Sequence, residues 1–391
     1  MYERVPEAEA SSRPVATQLV RTWKLKGTTR KAKCRMVARG DLDTREDLTT
    51  STGACPHSSV RVALMLSSAV ADPKLPIEQR IAIMDVSNAY LQTPFNQEKP
   101  CFLRPPPEHS GREAGFVWKI KRCVYGLRDA GFLYEQFIEL KLKSLGWKEF
   151  ETAEGIWVLA GAEQYKPRGF LAKYVDDLFM MAGTSTVTEL TDDIRRHLLC
   201  TPPEPPERYV GVNNICHPTG VIQHQAPYIR SMAVVEGSQP AMPLPRSIMN
   251  EIDTSEKITD KAEQTQYRKT LGEMAYVANC TRPDLQFACS WLSKFNSAPT
   301  RRAARLLLQA KRYMMATAGR GILVPKLRSA ELLDITMYVD ASGASEETPH
   351  PQSGYVVCVK GSPIAWKSHK QTKVARSTVK AELNAIDEGV D

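Results

Sequence analysis

The sequence predicts an α+β protein, and three features of its patterning predict it. Two apolar runs fold back on each other around Asp176-Asp177, amphipathic helical segments follow between Tyr267 and Thr317, and strict strand alternation appears after Gly321. At 391 residues the chain exceeds one average domain, which sets the expectation of two or three compact units. Hydrophobic residues at 42% and charged residues at 25% are the proportions of a folded globular protein with little room for extended disorder.

Residues 1 to 20 are polar without a clear period and read as a frayed leading segment. From Trp23 to Val37 the pattern is two short basic strands around Gly27-Thr28-Thr29, a hairpin. Pro56-His57-Ser58-Ser59 signals a helix start, and Val60 to Val70 reads as a mostly buried helix. Ile81 to Met84 is a short apolar strand entering Asp85. Prolines at 94, 100 and 105 to 107 break the pattern beyond it. Tyr134, Phe137, Ile138, Leu142 and Leu145 mark one face of a helix that Gly146 should terminate. Phe170 to Val175 and Leu178 to Ala182 form a hairpin with two carboxylates at its tip. Pro202 to Pro206 reads as a linker.

Three helices are then marked by Tyr267/Leu271/Met274/Ala275/Ala278, by Leu285/Ala288/Leu292/Phe295 and by Leu306/Ala310/Tyr313/Met314/Thr317. Thr281 before Pro283, and Thr300, are the expected helix starts. Leu333, Ile335, Met337 and Val339 alternate into Asp340 as a strand. Gly354 to Val359 and Ile364 to Trp366 add two more, and a helix presents Val379, Leu383 and Ile386 on one face.

No apolar run approaches the roughly 18 to 20 residues needed to span a bilayer, and the first residues lack a signal-peptide build, so a cell interior is expected. The nine cysteines are scattered, without a C-x-x-C pair, and read as core residues. Net charge is +8, unevenly spread: eight Lys or Arg and no acid lie between Arg21 and Arg39. Such a run suits a phosphate backbone, although a solvated face is the ordinary alternative.

Chemistry concentrates in Met84-Asp85-Val86-Ser87-Asn88-Ala89-Tyr90-Leu91 and Tyr174-Val175-Asp176-Asp177-Leu178. Alone, Asp176-Asp177 could be an ordinary β-turn and Asp85 a helix cap. Adjacent carboxylates between apolar strands repel and desolvate one another, however, and a divalent cation neutralises that cost. Oxygen ligands suit Mg²⁺, and three carboxylates ionised at neutral pH could hold a pair of such ions.

These motifs carry a resemblance. The chain is similar, over nearly its whole length, to the reverse transcriptase and ribonuclease H portion of copia-type retrotransposon Pol polyproteins. Lys33-Cys-Arg-Met-Val-Ala-Arg-Gly40 resembles the fingers motif, Asp85-Val-x-x-Ala-Tyr-Leu91 and Tyr174-Val-Asp-Asp-Leu178 the palm motifs, with Val124-Tyr-Gly-Leu-Arg128 between. Tyr267-Arg268, Leu271-Gly272, Thr281-Arg-Pro-Asp284 and Trp291-Leu-Ser-Lys-Phe295 match the helical region after the palm. Val339-Asp-Ala-Ser342, Ser353-Gly-Tyr355, Ile364-Ala-Trp366 and Ala381-Glu382 match the opening of the ribonuclease H domain.

The resemblance implies a right-hand polymerase: fingers and palm over 1–235, a helical thumb or connection over 236–329, and a truncated ribonuclease H-like α/β domain over 330–391. It implies RNA-directed DNA synthesis on an RNA template and DNA primer, with RNA–DNA hybrid and deoxynucleoside triphosphates as partners. Two Mg²⁺ ions, or Mn²⁺ in their place, would sit on Asp85, Asp176, Asp177 and the Val86 carbonyl, Asp85 and Asp176 bridging both. Tyr90 resembles a steric gate against the 2′-hydroxyl. Lys33, Arg35, Arg39, Tyr125, Gly126 and Arg128 would line the nucleotide site. Asp340 and Glu382 match ribonuclease H carboxylates but a later one is missing, so no independent nuclease activity is expected. Location would be cytoplasmic, in a virus-like particle, or nuclear. The oligomeric state is left open.

Asp129-Ala-Gly-Phe-Leu departs from the family, which has a Gln, Ala, Pro series and a Trp there. That wall of the nucleotide pocket is therefore altered, and a relic that binds nucleic acid without catalysis is the alternative reading. An unrelated two-metal phosphohydrolase fits less well, because none of the seven His residues lies near the Asp motifs.

Overall fold

Apolar alternation between Ile81 and Ala182 builds the sheet that carries the acidic motifs. In the computed structural model, which describes residues 1–26, 29–53, 55–163, 166–250, 253–328, 334–342, 351–375 and 377–390, the chain divides into two compact units. The first comprises residues 1–56 and 81–204, and the second residues 57–80 and 205–391. The boundaries read from sequence, after 235 and 329, do not coincide with this division.

In the first unit five antiparallel strands run in the order Ile81–Asp85, Asp177–Ala182, Gly169–Tyr174, Ile156–Leu159, Trp147–Glu149. Ala82, Met180, Leu171 and Trp157 are cross-strand neighbours and therefore share a face. Helix Ala130–Ser144 contributes Tyr134, Ile138 and Leu142 to the core there, and helix Val187–Arg195 contributes Leu190 and Ile194. Each such fully buried side chain is worth about 1.5–3 kcal/mol. The first of these helices ends at Gly146, whose φ of 85° L-residues rarely adopt. The second begins on a capping box of Thr186 and Glu189.

A second sheet of the same unit has the order Tyr2–Pro6, Phe116–Ile120, Phe102–Arg104, Val15–Lys26, Thr29–Ala38. The expected basic hairpin is present with longer strands, and its Gly27-Thr28 turn lies outside the described residues. The leading segment is ordered, contrary to expectation. Tyr2–Pro6 pairs with Phe116–Ile120, and the Tyr2 ring stacks on Trp118 at 4.1 Å between centroids. Partners more than a hundred residues away leave no local period to read. The supposed linker at Pro202 to Pro206 is also partly engaged, for Glu204 bridges Ile83 before the unit ends.

The second unit joins helix His57–Val70 to helices Lys261–Cys280, Gln286–Ser293 and Arg301–Ala316 and to a four-stranded sheet. Met274, Val277, Leu285, Leu292, Leu307 and Met314 fill its main core. Thr300 caps the helix that follows it, accepting from the Ala303 N–H, as expected. Thr281 instead closes the preceding helix, donating its N–H to the Val277 carbonyl, and Pro283 opens a 3₁₀ turn. Buried Arg61 reaches across the unit, donating to Gln223 Oε1 at 3.1 Å, to the Ile364 carbonyl at 2.7 Å and to the Cys280 carbonyl.

Strands Ile335–Ala341, Gln352–Val359 and Ser362–Lys370 form a three-stranded antiparallel sheet carrying helix Thr378–Val390. Leu333 lies outside the described residues. The face read for that helix is corrected: Ala381 and Ala385 are buried, whereas Val379, Leu383 and Ile386 are exposed. Two small residues let the helix approach the sheet closely, which outweighs the larger apolar stripe. No helix among the described residues is long and apolar enough to cross a membrane.

Candidate active site

Asp85 ends an edge strand of the first unit's central sheet, and the pairing register sets it directly opposite Asp177 on the neighbouring strand. Asp177 also pairs with Tyr174, so Val175 and Asp176 form a two-residue hairpin turn. Val175 has φ 54° and Asp176 is not in the left-handed region. Positive φ at only the first turn position is the II′ pattern, which matches strand twist and normally takes glycine. A β-branched residue there is strained by about 1–3 kcal/mol, a conformation that persists only where the surroundings impose it. Here the half-buried Val175 side chain packs on the sheet core, and the Val86 N–H donates to the Asp176 carbonyl at 2.8 Å. Turn and strand end are thereby held together.

A stretch not anticipated from sequence fixes the other side of Asp85. Its N–H donates to Thr201 Oγ1, the Thr201 N–H returns a bond to the Asp85 carbonyl, both at 2.9 Å, and the Ser87 N–H donates to Leu199. Thr201 carries no motif, and no local signal could have drawn attention to it. Val86 itself is fully buried.

Burial, then the charges of Asp176 and Asp85, push the Asp177 carboxyl up to about 6. Burial and then the same Asp176 charge raise the Tyr90 hydroxyl, and Asp176 is among the causes that raise Tyr125 and Tyr134. This crowding of like charge is what a bound cation relieves, and carboxylate oxygens suit a hard divalent ion. Among the described residues no three His, Cys, Asp or Glu side chains already close on one point.

Tyr90, on the short helix Ala89–Gln92, stands edge-on to Tyr125 at 5.0 Å and to Tyr134 at 5.9 Å. The Arg35 guanidinium lies 5.5 Å from the Tyr125 ring centroid. Lys33 and Arg35, on alternate positions of Thr29–Ala38, line a cavity of about 330 Å³ with Asn88, Trp118 and Tyr125. Gly126 has φ 86°, and a Cβ there would meet the Ala38 carbonyl at 2.2 Å. The remaining two cations are engaged elsewhere. Arg39 pairs with Asp41 at the surface, and Arg128 donates to the carbonyls of Asp43 and Arg45 at 3.4 and 3.2 Å. In the second unit Asp340 is exposed beside a cavity of about 470 Å³ that Tyr338 and Trp366 also line, and Glu382 is half-buried on the last helix.

An antiparallel sheet bearing one carboxylate at a strand end and two at the adjoining hairpin, with helices packed on it, has the build of a nucleic-acid polymerase palm. The chain belongs to the reverse transcriptase (RNA-dependent DNA polymerase) family, which it matches over residues 2–237. It is 27% identical, over 92% of its length, to a retrovirus-related Pol polyprotein from transposon RE1 of Arabidopsis thaliana, of which it covers 24%. It is 26% identical to a putative transposon Ty5-1 protein of Saccharomyces cerevisiae, over 73% of this chain and 92% of that one. The likeness to copia-type Pol polyproteins therefore holds across most of the chain, which spans about a quarter of the transposon RE1 polyprotein. Among solved structures, a foamy viral protease-reverse transcriptase in complex with double-stranded DNA matches with a TM-score of 0.50 at 14% identity, covering 99% of this chain and 56% of that one. That agreement is one of fold.

Proposed function

We propose that this chain catalyses RNA-directed DNA synthesis, extending a DNA primer on an RNA template with deoxynucleoside triphosphates. The observation that carries the reading is the register of Asp85 against Asp177, with Asp176 in the turn between and Tyr90 and Tyr125 within reach of its charge. Asp85, Asp176 and Asp177 would hold two Mg²⁺ ions, with Mn²⁺ as a substitute and the Val86 carbonyl as a further ligand. Such ions, when bound, stabilise the attacking and leaving oxygens of an in-line displacement at phosphorus. The chain's own groups then do the positioning. Lys33 and Arg35 offer positive charge to the triphosphate or template backbone. The Tyr90 ring would act as a steric gate against a 2′-hydroxyl, and Gly126 would let backbone approach the nascent pair. No nuclease step is assigned to Asp340 and Glu382.

Primer extension on an RNA template with deoxynucleotides and Mg²⁺, comparing wild type with Asp176→Asn, tests this directly. Extension by wild type alone, with duplex binding retained in the variant, is the expected outcome. Extension by neither, from folded protein, leaves a relic that binds nucleic acid without catalysis.

A further inference from the structure

Asp129 stands where the sequence departs from its family, and its carboxylate is almost wholly buried, with 4% of the side chain exposed. Arg45 meets it end-on, donating from Nη1 to Oδ2 at 2.9 Å and from Nη2 to Oδ1 at 2.8 Å. The same guanidinium donates from Nε to Asp43 Oδ1 at 3.1 Å and from Nη2 to Asp43 Oδ2 at 2.7 Å. Asp43 and Arg45 side chains are 0% and 8% exposed, so this fork is no surface pair of negligible worth. Burial works against the Arg45 cation, yet its bonds to Asp43 and Asp129 hold its pKa above the ordinary arginine value.

The neighbouring residue completes a reciprocal grip. Arg128 donates to the carbonyls of Asp43 and Arg45, while Asp129 receives the Arg45 guanidinium, so two consecutive residues bind one loop in opposite senses. At the near end of the same turn the Ala38 N–H donates to the Tyr125 carbonyl at 2.8 Å. A Cβ at Gly40 would meet the Gly126 carbonyl at 2.3 Å, which shows how closely the two backbones run. Tyr125 to Asp129 is thus stapled at both ends to the segment leaving the basic hairpin.

We infer that Asp43, Arg45 and Asp129 are positioning residues, a buried charge clamp that sets the place of the Tyr125–Arg128 turn and so of the Tyr90–Tyr125 ring pair at the nucleotide site. The clamp rests on the proposed polymerase reading. It acts through Tyr125 and Gly126, without touching substrate, and stands where the family has a Gln, Ala, Pro series.

Asp129→Asn tests it while Asp43 still balances the Arg45 charge. Arg45→Lys keeps the charge and loses the two-pronged geometry. Both variants should stay folded with a lowered melting temperature and, assayed well below it, raise KM for deoxynucleotide roughly 5- to 20-fold with kcat within about twofold, a split that lost stability alone would not give. Direct titration of deoxynucleotide into enzyme on a dideoxy-ended primer and RNA template should weaken by the same factor. If wild type extends primers and folded variants keep its KM and nucleotide affinity, the clamp is overturned and the polymerase reading stands. If wild type binds nucleotide without extending and the variants bind more weakly, the clamp stands and the catalytic reading falls. A wild type that neither extends nor binds overturns both.

Discussion

Tyr90 shows how much a single side chain can be asked to decide. Its ring makes edge contacts with Tyr125 and Tyr134 on two sides, and in the proposed polymerase these would oppose its movement when a sugar arrives. Selection at such a wall works by exclusion. Tyr90→Val should therefore admit ribonucleotides, lowering the preference for deoxynucleotides by at least about tenfold, or about 1.4 kcal/mol. Competitive incorporation opposite one template base measures that ratio, and an unchanged ratio would remove the gate from Tyr90. Asp85, Asp176, Asp177 and Tyr90 could be singled out because each sits in a short contiguous motif, and the strand register does set Asp85 opposite Asp177. Thr201 and Arg45 were not. Thr201 binds a residue 116 positions earlier, and Arg45 binds one 84 positions later, and neither partnership leaves a trace in the local pattern.

Helix His57–Val70 illustrates what an element can show and hide. Its extent followed from the run Val60 to Val70 and the Pro56 signal, whereas the protonation behaviour of its first residue needed the packed structure. Burial, then the nearby Arg61 charge, lower the His57 pKa from 6.5 to about 4. A helix N-terminus adds to the disfavour of a cation there. Between pH 6.5 and about 4 the unfolded chain gains a proton that the folded chain refuses. Stability is thus full above pH 6.5 and falls as acid is added through this window, by about 2 kcal/mol at pH 5 and about 3 kcal/mol at its lower end. Denaturant melts at pH 7 and pH 5 should show the loss in wild type and a smaller one in His57→Asn. Equal slopes for the two proteins would assign the acid sensitivity elsewhere. The closing helix gives the opposite lesson, since its apolar stripe was plain in the text but the packed face is the alanine side.

At the scale of the whole chain, the α+β class and the elements around the acidic motifs were readable, but strands such as Trp147–Glu149 and Ile156–Leu159, and the grouping of elements, were not. Residues 57–80 lie in sequence between two halves of the first unit and belong to the second. Hydrophobic periodicity can mark the face of a helix that seeks a core, as in His57–Val70, but not which core. A fragment of residues 205–391 should accordingly lack cooperative unfolding, because it leaves Gln223 and the Cys280 and Ile364 carbonyls without Arg61 and exposes what Val60, Leu64 and Met65 would cover. Co-expression with a 57–80 segment should restore a sharp transition, and a fragment that melts sharply alone would contradict the assignment. Arg61 and Ile364 are 303 residues apart in the chain. At about 5–20 residues per second, a ribosome needs roughly 15–60 s to deliver the second after the first. For that time the helix has emerged without its final neighbours, so the slowest feature of this protein's birth is a wait written into its connectivity, and whatever shields that helix meanwhile governs how many chains reach the native state.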